Sequence, residues 1–183
     1  MDKPNLSPEQ DRLFQNPREL SEQSLTQGVI VRDRYIHRYN ISGQPYENIT
    51  FDNVDIHTFR IKNADLTNIS FQGGKYAGLI MSDSSLENVT FHDVYIRRLS
   101  LGDARLNNVT FRNCTLDQPV LVGLKGNVRF ENCTLNEPNF YGAQARLEFV
   151  NSTISNRQNP RESVFRAQKL PASIKLVDSE VIS

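Results

Sequence analysis

Every fifth residue from Val31 to Leu121 is apolar. The series runs Val31, Ile36, Ile41, Tyr46, Phe51, Ile56 and onward through nineteen positions without an exception. Apolar residues make up 38% of the chain, so chance would give such a run roughly once in a hundred million trials. Neither an α-helix (period 3.6) nor a simple strand (period 2) repeats at five. A short extended segment does place residues i and i−2 on one side. If a tight turn follows each segment, both point inward once every five residues. The i−2 positions agree: Ile49, Val54, Phe59, Ala64, Ile69, Leu79, Val89, Val94, Leu99, Ala104 and Val109 are apolar, with Arg34, Gln44, Gly74, Ser84 and Pro119 as exceptions. The remaining positions are rich in Asn, Asp, Ser, Thr and Gly, residues that accommodate turns.

A second period overlies the first. Asn48-Ile-Thr-Phe51, Asn68-Ile-Ser-Phe71, Asn88-Val-Thr-Phe91 and Asn108-Val-Thr-Phe111 recur every twenty residues. Twenty is four fives, so one turn has four faces, and residues twenty apart stack about 4.8 Å apart as in any β ladder. The expected fold is an all-β solenoid, a quadrilateral β-helix in which each coil hydrogen-bonds to the next. Beyond Leu121 the spacing falls to nineteen, in Phe111-Arg-Asn-Cys-Thr-Leu116, Phe130-Glu-Asn-Cys-Thr-Leu135 and Phe149-Val-Asn-Ser-Thr-Ile154. One residue is lost per late coil, near Gly123–Gly126 and Gly142–Ala145. Leu176-Val-Asp-Ser-Glu-Val181 is a further copy, delayed by the polar insert Ser155–Ser163.

Asn63-Ala-Asp-Leu66-Thr and Asp103-Ala-Arg-Leu106-Asn resemble the A-(D/N)-L-x-x unit of the pentapeptide-repeat family. The resemblance covers about residues 29–154 and implies a right-handed coil. Family members include proteins that shield type II topoisomerases by resembling duplex DNA. Others are interaction domains, some within effectors that bacteria inject into host cells. This chain departs from the usual unit in preferring Val and Ile to Ala at i−2, and in carrying Phe along one whole face. That style resembles the divergent β-helices of secreted effectors.

The solenoid needs closed ends, because an uncovered coil exposes both core and strand edges. Residues 1–28 read as a short helical N-terminal cap. Ser7-Pro8-Glu9-Gln10 supplies an N-cap, Pro at the first helical position and Gln three after the cap, and Leu13, Phe14 and Leu20 would cover the first coil. Residues 29–154 form the shaft. Residues 155–183 supply a closing coil and cap through Val164, Phe165, Leu170, Ile174, Leu176 and Val181. A partly exposed apolar cap would permit an end-to-end homodimer.

Charge narrows the function. Lys+Arg and Asp+Glu each total 21, and residues 29–154 hold thirteen of each sign. A neutral shaft argues against a direct nucleic-acid binder, which concentrates positive charge, and against a DNA mimic, which needs an acidic stripe. No stretch is long and apolar enough to cross a bilayer, and no apolar run near the start resembles a signal peptide. The expectation is a cytoplasmic protein, or one exported without a cleaved signal.

The candidate chemical groups read as structural. Cys114 and Cys133 fall at equivalent inward sites nineteen apart, as buried thiols. His57 and His92 point outward on different faces, with no nucleophile beside either. No Cys or His spacing matches a zinc site. Nine Asn-x-Ser/Thr triplets occur, most at one repeat phase where Asn suits the turn. No enzyme, cofactor or metal is therefore expected. Among surface groups, Lys75, Tyr95, Arg97 and Arg98 form a basic patch flanked by an aromatic, suited to a protein partner of acidic character. The expected function is a non-catalytic interaction scaffold, freestanding or a docking part of an effector. The alternative that the family resemblance implies is a modulator of type II topoisomerase.

Overall fold

The structure is a computed structural model that describes Leu25, residues 28–155 and residues 173–182. The rest of the expected N-terminal cap, and Val164, Phe165 and Leu170 of the closing coil, lie outside the described residues. Leu25 is helical, buried and part of the core.

The chain is an all-β solenoid of about six turns whose strands pair in parallel. On the first face, Val31 pairs with Phe51, and Phe51, Phe71, Phe91, Phe111, Phe130, Phe149 and Leu176 continue the column in register. The second face stacks Ile36, Ile56, Tyr76, Ile96, Leu116, Leu135, Ile154 and Val181. The third holds Ile41, Ile61, Met81, Leu101, Leu121 and Phe140, all buried. The fourth stacks Tyr46, Leu66, Leu86 and Leu106. The expected i−2 residues join them in one continuous core. Full burial of a Phe, Leu or Ile side chain contributes about 1.5–3 kcal/mol, so two inward residues in every five hold a chain of modest apolar content together.

The corners explain the polar residues between. The residue two beyond the inward centre has a left-handed backbone at three corners of the early turns, and at the second corner only from Arg98 onward. At the fourth corner these are Asn48, Asn68, Asn88 and Asn108, with φ between 53° and 56°. Asn tolerates this conformation because its short amide bonds locally. Here the amides also bond one another: Asn68 Nδ2 donates to Asn48 Oδ1 at 3.1 Å, Asn88 to Asn68 at 3.2 Å and Asn108 to Asn88 at 2.8 Å. At the first corner Asn113 donates to Asp93 at 3.0 Å and Asn132 to Asn113 at 3.1 Å.

Two repeat positions carry glycine for steric reasons. A Cβ on Gly74 would lie 2.2 Å from the Val54 carbonyl oxygen, and one on Gly126 would lie 1.8 Å from that of Leu106. Gly126 also marks where the turn shortens. Leu106 pairs with Gly126, twenty residues on, but Val109 pairs with Val128, nineteen on. The lost residue therefore falls between Gly126 and Val128, just past the expected Gly123–Gly126 stretch. Asn127 alone replaces Asn107-Asn108, and the fourth-corner Asn ladder ends there. The following turn keeps the offset of nineteen.

The last turn returns after the insert. Ile174–Val177 pairs with the strand Arg146–Val150, and Glu180–Ile182 with Thr153–Ser155. Ile174 and Leu176 pack on the core, half-buried, while Val181 is exposed. An ion-pair chain ties this turn down: Arg112 to Glu131 at 3.1 Å, Glu131 to Arg129 at 3.5 Å, Arg129 to Glu148, and Glu148 to Lys175 at 2.7 Å.

Candidate functional site

The outward side of the second face presents the residues that flank each inward centre. Tyr95 and Arg97 flank Ile96 in the strand Tyr95–Arg97, and both point to solvent. Lys75 is the register partner of Tyr95 one turn below. Arg98 follows at the corner. The structure thus brings Lys75, Tyr95, Arg97 and Arg98 together on two adjacent turns. Tyr95 is 40% exposed, high for a large ring. Arg97 Nε stands 3.9 Å from Asp117 Oδ2, a loose pairing. Neither Lys75 nor Arg98 makes an ion pair among the described residues. Lys75 is fixed through its backbone, whose N–H donates to Asp55 Oδ1 at 2.8 Å.

Arg98 has φ 58°. A left-handed conformation costs an ordinary L-residue about 1–2 kcal/mol, and an Asn or Gly would relieve it. The residues one turn below Arg97 and Arg98 are the small Ala77 and Gly78. Gly78 is not in the left-handed region, and a Cβ there would make only ordinary contacts at 3.6 and 3.9 Å. Backbone geometry does not demand glycine at that position.

Sequence reasoning missed two groupings. His37 and His57 stack, with ring centroids 5.1 Å apart, because both follow inward residues in the same column. The repeat of twenty was the available signal. Asp65, Asp83 and Asp103 gather with Arg105 and Lys125 around a shallow cleft of about 430 Å³ at the third corner. That grouping crosses a corner, which single-column reading overlooks.

The remaining candidates are packed as expected. Cys114 and Cys133 are buried free thiols that donate to the Phe91 and Phe111 carbonyls, each at 3.4 Å. Cys133, then burial, pushes the Cys114 thiol far above its ordinary range. The buried Ser84 and Ser152 take the same inward role by accepting the N–H of Ala64 at 3.3 Å and of Cys133 at 3.0 Å. His92 Nδ1 lies 3.0 Å from Asp93 Oδ2 on the first face, away from the other histidines. Among the described residues, no three His, Cys, Asp or Glu side chains are grouped to hold a metal ion.

No family model matches the chain, and no curated protein sequence does. Two solved structures of QnrB1, a plasmid-mediated fluoroquinolone resistance protein, are similar to it. The full-length protein is 12% identical, with 84% of this chain and 93% of that one covered and a TM-score of 0.23. A trypsin-treated variant is 10% identical, with 85% and 92% covered and the same TM-score of 0.23. This likeness is weak and carries nothing about what the present chain binds.

Proposed function

We propose that this chain is a pentapeptide-repeat solenoid that acts as a non-catalytic protein-interaction scaffold, freestanding or as the docking part of a larger protein. Its contact surface is the patch of Lys75, Tyr95, Arg97 and Arg98, and its partner presents acidic side chains there. The observation that supports this reading is Arg98. A long cationic side chain occupies a left-handed corner that the next two turns fill with Gln118 and Glu137, and Arg98 makes no ion pair among the described residues. An exposed cation without a carboxylate partner is available to an acidic side chain of another protein. Tyr95 adds an amphipathic ring, and Tyr and Arg are the side chains that most often anchor protein interfaces.

The test is capture of partners from a lysate on the immobilised chain, beside an Arg97→Ala/Arg98→Ala variant whose circular dichroism matches the parent. Loss of the captured species in the variant is the expected result. Unchanged capture rejects the patch.

A further inference from the structure

The twenty-residue offset also builds a pair of imidazoles that the interaction face does not use. His37 and His57 lie in the strands Ile30–Ser42 and Thr50–Lys62, each of thirteen residues. In these turns the second corner bends without a left-handed residue, so each strand runs unbroken from the first face to the third. The register is fixed on both sides of the histidines, where Ile36 pairs with Ile56 and Arg38 with Thr58. Both rings are exposed and stack with centroids 5.1 Å apart and planes 28° from parallel.

A neutral imidazole binds divalent transition metals through its bare ring nitrogen. His57 Nδ1 lies 3.1 Å from Thr58 Oγ1. A ring that donates its Nδ1–H to that hydroxyl keeps the lone pair on Nε2, and such a fixed second nitrogen is the usual support of a metal-binding histidine. Two nitrogens on one ion lie about 3 Å apart, given bonds of about 2 Å at right or tetrahedral angles. The stacked rings stand about 2 Å wider than that, a gap that exposed side chains close by turning about χ1 and χ2. Ala77 is the next residue of the column above His57 and adds only a methyl group. Asp55, two residues before His57, accepts the Lys75 N–H at 2.8 Å and is not counted as a ligand. Arg38 follows His37 at the corner, and its positive charge means that nitrogen ligands rather than the local field must hold the ion.

We infer that His37 and His57 form a two-imidazole site for a divalent transition-metal ion, with copper preferred to nickel and to zinc, and with water in the remaining positions. The bound ion bridges the first and second turns. A spacing of twenty matches no local metal-binding motif, because coiling rather than neighbouring sequence brings the rings together. The site is independent of the interaction face at Lys75, Tyr95, Arg97 and Arg98.

The experiment is isothermal titration calorimetry of the full chain with nickel(II) chloride and with copper(II) chloride, in a buffer that does not bind metal. It is run beside His37→Ala, His57→Ala and His92→Ala, each checked by circular dichroism. The expected result is a single nickel site whose affinity falls at least about tenfold in either His37→Ala or His57→Ala, since each removes one arm of a chelate. His92→Ala should bind as the parent does, because its ring lies beside Asp93, away from the other two. Copper should bind more tightly than nickel at the same site. A second readout is hydrogen exchange. Saturating nickel should slow the opening of Ile30–Ser42 in the parent and not in His57→Ala, as binding to the paired turns stabilises them. Absence of nickel binding by the parent, equal affinity in the parent and both single variants, or loss in His92→Ala alone overturns the site. Binding that depends on both histidines without slowed exchange overturns the bridge between turns.

Discussion

Phe91 and Phe111 lie face to face one turn apart, their ring centroids separated by 4.3 Å and their planes by 3°. Phe71 stacks below at 4.6 Å and 3°, and Phe130 above at 5.0 Å and 15°. In-register parallel pairing sets this spacing, since it places equivalent side chains about 4.8 Å apart. Rings held above and below leave little room for collapse. Phe91→Ala is therefore expected to destabilise the chain by about 3–5 kcal/mol. A urea midpoint no different from that of a surface variant would contradict this account of the core.

Tyr76 interrupts a column of Ile and Leu. Its ring is fully buried, and its hydroxyl has no hydrogen-bond partner among the described residues. Removing an unsatisfied buried hydroxyl relieves a desolvation cost, so Tyr76→Phe is expected to stabilise by about 1 kcal/mol. Burial, and then the charge of Asp55, raises the Tyr76 pKa. A raised folded-state value means that the unfolded chain ionises first. Stability is unaffected below the ordinary tyrosine pKa of about 10 and falls as pH rises beyond it. The stability difference between the parent and Tyr76→Phe should be constant below that point and grow above it.

At low pH the weak point is the last turn. Lys175, then Arg129, holds the Glu148 carboxyl below the usual range, and Arg112 does the same for Glu131. A depressed folded-state value gives stability that is fully present above the unfolded pKa of about 4.3. That stability is lost as pH falls through the folded values. Hydrogen exchange, corrected for intrinsic rate, should show the amides of Ile174–Ile182 opening before those of Arg105–Arg112. Glu148→Gln should bring that opening to neutral pH. Simultaneous opening of both segments would show that the ion pairs do not hold the closing coil.

Arg98 sets stability against binding. Arg98→Asn relieves a left-handed residue and is expected to stabilise by about 1 kcal/mol, while weakening partner capture. Both effects are read on one protein, by thermal melting and by capture. A variant that melts lower than the parent would remove the strain argument.

The inward columns were legible in the sequence because burial at every fifth residue leaves a mark that no common secondary structure imitates. Phe51, Phe71, Phe91 and Phe111 alone specify register, and their neighbours follow. The corner residues were legible as turn formers, but not the place of the left-handed residue, since composition alone does not say which of three polar positions bends. Gly74 read as an exception to the pattern, and Gly126 as part of the stretch where the turn shortens. Their reason is the main-chain oxygen of the turn below, which only coordinates reveal. In the candidate site, Tyr95 over Lys75 was legible from the twenty-residue offset. The pairing of Arg97 with Asp117 follows from the same offset, whereas the gathering of Asp65, Asp83 and Asp103 with Arg105 and Lys125 was not legible, because it crosses a corner.

The in-register columns make length an independent variable of this molecule. Phe91 presents to Phe71 what Phe71 presents to Phe51, and Ile96 meets Tyr76 as Tyr76 meets Ile56. Excising residues 71–90 would seat Phe91 on Phe51 and shorten the rod by one rung, about 4.8 Å, with both of its ends unchanged. Such a chain would work as a molecular ruler whose graduations are set by gene length alone.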